Sequence, residues 1–105
     1  MPRATTKRQK EVLEALRALI PLAPLSDFEP IVEATRQPHF RTLQPKSAAW
    51  LALVAHIRHR YTDYDRLMDD GYDKDSARFF VLDETNDQLA EWGSATRLNE
   101  SGERI

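Results

Sequence analysis

The fold of this chain is decided by the stretch SAAWLALVAHIRHRY, residues Ser47–Tyr61. Its large apolar side chains recur at the three- and four-residue spacing of an α-helix, at Trp50, Leu53, Val54 and Ile57. Alanines fill several positions between them, and alanine has the highest helix propensity. The stretch therefore predicts a long central helix, around which the other elements are placed.

Two amphipathic helices are predicted before the central one. The first begins near Thr5 or Thr6 and ends before Pro21. Its inward face consists of Val12, Leu13, Leu16, Leu19 and Ile20. The second is predicted to be capped by Ser26 or Asp27, because short polar side chains accept amide hydrogen bonds in the first turn. Its inward face consists of Phe28, Ile31, Val32 and Thr35. A proline-bounded loop, residues 37–45, then leads to the central helix.

After the central helix, the residues Thr62-Asp63-Tyr64-Asp65 have the pattern of a capping box. This pattern predicts a kink followed by a short helix, Asp63 to Asp69, which Gly71 ends in a left-handed conformation. One last helix is predicted between a cap at Asp73 and a stop at Gly93.

The chain has three glycines and no hairpin signal, so we predict an all-α fold, a small orthogonal bundle of four to five helices. Its 105 residues suit one domain. We expect residues 1–93 to form that single helical domain. Residues Ser94 to Ile105 lack periodicity and are expected to be a flexible C-terminal tail.

Composition excludes several classes of protein. The chain contains no cysteine, so it has no disulfide framework and no thiol site. Its longest apolar run, Ala48 to Ala55, is far shorter than the ~20 residues of a membrane-spanning helix. The first residues do not resemble a signal peptide. We therefore expect a cytoplasmic protein that does not enter a membrane.

The charge of the chain is unevenly distributed. Residues 1–62 carry ten Lys/Arg and five Asp/Glu, a balance of +5, whereas residues 63–105 carry five and twelve, a balance of −7. No acidic residue lies between Glu33 and Asp63, an interval that holds all three histidines. Either the two halves pair internally, or a basic face stays open for an anionic partner.

The second half of the chain resembles an uncharacterised family, domain of unknown function 2293 (DUF2293). The family's pattern is an Arg-His pair, a Thr-x-Tyr-Asp step, a hydrophobic pair, an Ala-Arg pair and a terminal tryptophan. In this sequence the pattern falls on Arg58-His59, Thr62/Tyr64/Asp65, Leu67-Met68, Ala77-Arg78 and Trp92. Met68 replaces the second leucine that the family usually shows. The resemblance covers residues 46–92 and implies no activity.

We predict a polar site at the junction between the central helix and the short helix. Its candidate binding residues are Arg58, His59, Thr62, Asp63, Tyr64, Asp65 and Arg78. In a purely structural arrangement, Arg58 and Arg78 would bond to Asp63 or Asp65 across the junction, and the tyrosines would pack inward. In a functional arrangement, the same groups would face a ligand.

Two chemical alternatives use the histidines. His56, His59 and Asp63 would share one face of an unbroken helix and could hold a divalent metal. A break at Thr62 removes Asp63 from that face, so we expect neither a metal nor another cofactor. An acid–base or hydrolytic enzyme could instead use His59 as base with Asp63 or Asp65 orienting it. No nucleophile motif or glycine-rich loop accompanies these residues, so no catalytic residue is assigned.

The favoured prediction is a non-catalytic binding or interaction module. One alternative is polyanion or nucleic-acid binding through the basic segment 36–60, which the acidic second half and a sequence pI near 5.9 disfavour. The other is association with a protein partner, including self-association through the helices that carry the two tryptophans.

Overall fold

The computed structural model describes residues 3–105, in which six α-helices and one 3-10 helix are joined by short turns. The α-helices are α1 (Lys7–Leu19), α2 (Leu25–Thr35), α3 (Pro45–Tyr61), α4 (Tyr64–Asp69), α5 (Lys74–Phe80) and α6 (Leu82–Glu91). The 3-10 helix, Pro38–Phe40, lies between α2 and α3. The predicted all-α fold is confirmed, and no helix within residues 3–105 is long and apolar enough to cross a membrane.

Helix α3 is the centre of the structure, as predicted. It packs against α1, α2, α4 and α6. Leu53 and Ile57 on α3 are fully buried, and they meet Leu16 of α1 and Ile31 of α2 in one core. Burial of large aliphatic side chains on both sides of α3 is the main stabilising contribution to such a fold.

The beginnings of α1 and α2 differ from each other. Thr6 caps α1 in a complete capping box with Gln9, which confirms the predicted start. The predicted cap of α2 is wrong, because α2 begins at Leu25 after Pro24 and has no side-chain cap. Asp27 lies inside the first turn and is buried. A side chain expected to cap a helix is therefore part of the interior.

The predicted helix break at Thr62 is confirmed. Thr62 has an extended backbone, with φ −135° and ψ 171°. Its hydroxyl donates to the carbonyl of Arg58 at 2.6 Å and accepts from the amide of Tyr64 at 3.2 Å. The other half of the predicted capping box is wrong, because Asp65 does not bond back to Thr62 but to His59.

The predicted last helix is two helices, α5 and α6, which meet at Val81. Asp73 caps α5 as predicted, accepting from the amide of Ser76 at 2.8 Å. Four consecutive apolar residues, 79–82, cover about 300° of a helix, so one straight helix could not bury all of them. The backbone turns at Val81, which is buried, and leaves Phe79 and Phe80 exposed.

Residues 94–105 pack against the helices, whereas the sequence suggests a free tail. Arg97 and Ile105 exchange two backbone hydrogen bonds, at 3.1 and 2.8 Å. Leu98 is only 3% exposed, and the side-chain amide of Asn86 bonds both its amide and its carbonyl. Residues 94–105 therefore form a C-terminal turn, in which one apolar anchor and one amide hold a segment that has no periodicity. The flexibility of this segment stays a prediction. The domain boundary at Gly93 stays a prediction.

Candidate functional site

Arg58 lies near the end of α3 and is half-buried. Its Nε atom is fully shielded from solvent and has no hydrogen-bond partner among residues 3–105. The guanidinium carbon lies 6.0 Å from the ring centre of Tyr64, which is a cation–π contact. The predicted bond from Arg58 to Asp63 or Asp65 is wrong, because those carboxylates accept from Arg66 and His59 instead. A shielded guanidinium nitrogen without an acceptor is energetically costly, since its hydration is not replaced.

Arg58 and Arg78 line the same pocket, which has a volume of about 400 Å³. Helix α3 forms one side, α5 and α6 form another, and the C-terminal turn closes a third. The apolar part of its lining is Trp50, Leu51, Val54, Leu82 and Leu98, and the polar part is Arg58, Arg78, Asp75 and Ser101 with the backbone of Gly102. The pocket therefore combines two guanidinium groups with apolar walls.

The two arginines make no ion pair within residues 3–105, although one carboxylate, Asp75, lines the same pocket. Burial of the guanidinium lowers the pKa of Arg58, and the positive charge of Arg78 lowers it further. Within residues 3–105, Arg78 makes no ion pair, and Asp75 lies beyond ion-pair distance of both arginines. Because two like charges share one open pocket, an anion that entered it would relieve their repulsion.

The remaining candidate residues lie in surface pairs. His59 Nδ1 and Asp65 Oδ1 are 2.6 Å apart, and both side chains are more than half exposed. Asp63 accepts from Arg66 at 2.9 Å, also at the surface. Thr62 and Tyr64 have structural roles, since Thr62 bonds the helix break and Tyr64 is buried beneath Arg58. The predicted cluster is therefore divided between one pocket and one exposed edge.

The metal alternative gains no support from this geometry. His56 bonds Asp27 and His59 bonds Asp65, so the two imidazoles do not face one ion. No group of three His, Cys, Asp or Glu side chains in residues 3–105 is arranged to hold a metal. The His59–Asp65 pair resembles an oriented base, but neither residue lines the Arg58–Arg78 pocket.

A buried polar cluster on the opposite side of α3 was not predicted. Asp27 accepts from His56 Nε2 at 2.9 Å and from the hydroxyl of Tyr61 at 2.7 and 2.8 Å to its two oxygens. Trp92 packs edge-on against Tyr61, with ring centres 5.4 Å apart. The signal available was the position of Asp27, four residues before Ile31 and so on the inward face of α2. Its partners are 29 and 34 residues away, which no local pattern reveals.

The electrostatics of Asp27 follow from its partners. Burial alone raises the pKa of Asp27. The hydrogen bonds from His56 and Tyr61, with positive charge from His56 and Arg60, outweigh burial and hold the pKa below the ordinary value of 3.8. The hydrogen bond to Asp27 in turn raises the pKa of Tyr61. The arrangement joins α2 to α3 and has the character of a stabilising network.

The basic residues of the first half do not form one continuous site. Arg36 and Arg41 line a pocket of about 380 Å³ together with Arg8, between α1 and α2. Lys46 lines another with Arg104. Ion pairs between described residues stay within one half of the chain, except for His59–Asp65. Ion pairs between the two halves therefore do not explain the uneven distribution of charge along the chain. Most of the charged side chains lie at the surface.

A family model described as an uncharacterised conserved protein, DUF2293, matches residues 15–93. This range covers well over half of the chain and includes α2 to α6. The chain belongs to the DUF2293 family. No curated protein and no solved structure matches it.

The DUF2293 match begins inside α1, so it extends well before the region in which the sequence shows the resemblance. It contains Arg58 and Arg78 and therefore the charged part of the pocket. It ends at Gly93, before the C-terminal turn. The wall that Leu98, Ser101 and Gly102 contribute is thus outside the part of this chain that the family model describes.

Proposed function

We propose that this DUF2293 chain is a non-catalytic binding domain whose site is the Arg58–Arg78 pocket. The observation that carries the proposal is the buried Nε of Arg58, which has no hydrogen-bond partner within residues 3–105 while its guanidinium lines an open pocket. Buried polar groups in folded proteins nearly always have a partner. An anion bound to the accessible part of the guanidinium would offset the cost of that burial.

The chemistry of the pocket supports an organic anion as the ligand. Guanidinium groups bind carboxylates and phosphates through short, charge-assisted hydrogen bonds. The walls formed by Trp50, Val54 and Leu82 favour an apolar body behind the anionic group. We therefore infer a ligand that carries one carboxylate or phosphate on an apolar or aromatic frame, small enough for a pocket of about 400 Å³.

A cytoplasmic location is proposed on composition. The chain has no cysteine, and small secreted domains commonly depend on disulfides. Ligand binding by a domain of this kind would then take place in a reducing compartment.

Titration calorimetry with three probes tests the proposed site. Benzoate carries an anion on an apolar ring, benzamide is its neutral analogue, and inorganic phosphate is an anion without an apolar part. We expect benzoate to bind with a Kd on the order of 1 mM, phosphate to bind more weakly, and benzamide not to bind. Equal binding of benzoate and benzamide, or binding of neither, would contradict the proposal.

Arginine variants locate the binding. Arg58→Gln and Arg78→Gln should each weaken benzoate binding by about tenfold or more, because each removes a charge-assisted contact. Arg78 is exposed, so its variant should fold normally. Arg66→Gln is the matched control, since Arg66 is an exposed arginine on α4 that does not line the pocket. An equal loss of affinity in all three variants would indicate a general charge effect and not this site.

A further inference from the structure

Three aromatic side chains are exposed side by side on α5 and on the turn that precedes it. Tyr72 is 45% exposed, and Phe79 and Phe80 are each 56% exposed. The ring of Phe80 lies 5.3 Å from that of Tyr72 and 6.1 Å from that of Phe79, both edge-on. We call this set the aromatic patch. Contiguous exposed apolar surface is uncommon on soluble domains and typically marks an interaction site.

The core beneath the aromatic patch is small and separate from the main core. It consists of Tyr64, Ala77 and Val81, with Leu67 and Met68 packed against it. A shallow groove of about 240 Å³ opens onto it between Tyr72 and Phe80, and Leu67 and Val81 line this groove. The groove exposes more polar than apolar surface, and an apolar side chain that packs on its apolar part would remove that part from water.

The segment that carries the aromatic patch is strongly acidic in sequence. Residues 63–91 carry ten Asp/Glu and three Lys/Arg, a balance of −7. Asp63 and Glu84 line the groove itself, and Asp63 is also paired with Arg66 there. No ion pair neutralises Asp69, Asp83 or Glu84 within residues 3–105. The complementary surface must therefore be basic as well as apolar.

We propose that the aromatic patch is a docking surface for a basic amphipathic segment of a partner protein. An apolar side chain of that segment fills the groove between Tyr72 and Phe80, and flanking Lys or Arg side chains meet the carboxylates around it. Such a segment presents apolar anchors on one face and charge beside them, as an amphipathic helix does.

Two other occupants fit the charge less well. An anionic lipid surface is repelled by an acidic face. In a second copy of the chain, the exposed large apolar residues of the basic half are Leu22, Leu25, Leu51 and Tyr61. Leu51 lines the Arg58–Arg78 pocket, and Tyr61 bonds Asp27 and packs on Trp92, which leaves Leu22 and Leu25 as anchors. No Lys or Arg occurs between Arg17 and Arg36, so those leucines lack the basic flanks that the acidic face requires.

Fluorescence anisotropy with a labelled peptide tests the docking surface. The probe is a helical peptide of about 14 residues made of leucine, alanine and lysine, and the matched control peptide carries glutamate in place of lysine. The full chain should bind the lysine peptide in the micromolar range, about 10 μM at low salt, and the glutamate peptide at least tenfold more weakly. Equal binding of the two peptides, or no binding of either, would overturn the proposal.

Matched variants distinguish docking at the aromatic patch from nonspecific binding of the peptide to exposed apolar side chains. Phe80→Ser and, independently, Phe79→Ser should each weaken binding of the lysine peptide about tenfold, because each removes an apolar contact at the groove or beside it. Leu22→Ser removes an even more exposed apolar side chain, 70% exposed and outside the patch, and should change the Kd less than twofold. Equal losses in all three variants would contradict the assignment.

Sedimentation velocity on the unliganded chain settles the second-copy alternative. The full chain should sediment as a monomer at the concentrations used for the peptide titration. Salt-sensitive self-association that Phe80→Ser abolishes would show that a second copy covers this face, and would overturn the assignment to a partner protein.

Discussion

Asp27 is the buried carboxylate on which two side chains of α3 converge. His56 and the hydroxyl of Tyr61 both bond it, and its side chain is 6% exposed. Hydrogen bonds to a charged group are stronger than neutral ones, especially away from water. The loss of this carboxylate should therefore loosen the attachment of α2 to α3.

The variant Asp27→Asn should lower the free energy of unfolding by about 2 kcal/mol at neutral pH, because it removes the charge that accepts the hydrogen bonds from His56 and Tyr61. The variant retains the shape of the side chain. The folded-state pKa of Asp27 lies below its unfolded value, near 3.8. Its contribution is therefore complete above pH 3.8 and is lost as the pH falls through the lower folded-state pKa. Urea denaturation of both proteins between pH 7 and pH 2 measures this difference.

The difference in the free energy of unfolding between the parent chain and Asp27→Asn should become smaller as the pH falls below 3.8. Asp87→Asn is the control, since Asp87 is exposed on α6. A difference that is independent of pH down to pH 2 would contradict the charged role of Asp27.

The positions of Arg58 and Arg78 in the DUF2293 pattern predict them as site residues, which stays a prediction, whereas the expected bond from Arg58 to Asp63 or Asp65 is wrong. Asp27 is predicted to cap a helix because a short acidic side chain near a helix start commonly does so. Its true partners are distant in sequence, so only the packing of α2 on α3 reveals them.

Helix boundaries follow local chemistry closely, and Gly93 is the clearest case. It ends α6 with φ +83°, a conformation that strains any residue with a Cβ atom. The amide of Leu22 donates to the carbonyl of Trp92 at 3.0 Å, so the α1–α2 turn lies directly against this end of α6. A Cβ added at Gly93 would lie 3.1 Å from Pro21 Cγ and 3.2 Å from Leu22 Cγ.

Gly93→Ala should therefore destabilise the protein by two effects, backbone strain of about 1–2 kcal/mol and crowding against the α1–α2 turn. Gly71→Ala is the matched control, because Gly71 has φ +101° and no neighbouring atom within 4 Å of an added Cβ. It should show the strain alone. Thermal unfolding should give a lower Tm for Gly93→Ala than for Gly71→Ala, and equal Tm values would show that the close approach to Pro21 and Leu22 costs nothing.

The break between α5 and α6 shows where periodicity fails. A run of apolar residues such as 79–82 fits several inward faces, and local propensity does not choose among them. Tertiary packing determines which of these residues is buried. Val81 joins the small core, whereas Phe79 and Phe80 remain exposed. The helix break at Val81, which the sequence does not predict, creates the aromatic patch.

At the scale of the whole molecule, the C-terminal turn connects stability to the pocket. Leu98 joins the main core and also lines the Arg58–Arg78 pocket. The guanidinium of Arg104 lies 5.0 Å above the ring of Trp50, which adds a cation–π contact between the turn and α3. The central helix and the all-α class can be predicted from the periodicity of apolar residues. The C-terminal turn cannot, because it is held by individual contacts of Leu98 and Asn86 and has no periodic pattern.

Leu98→Ala should lower the free energy of unfolding by about 2–4 kcal/mol and weaken benzoate binding, because it removes a core side chain and one wall of the pocket. Ile105→Ala is the control, since Ile105 is 55% exposed at the end of the same segment. Its effect should be within about 0.5 kcal/mol. Urea denaturation measures both, and an equally small effect of Leu98→Ala would restore the flexible tail that the sequence suggests.

The most direct test of the proposed anion-binding pocket is the Nε–H resonance of Arg58 in a proton–nitrogen NMR spectrum during titration with benzoate. We expect the resonances of Arg58 and Arg78 to shift together and saturate along one binding curve, while that of Arg66 does not move. Unchanged resonances of Arg58 and Arg78, or a shift that Arg66 shares equally, would contradict the proposal.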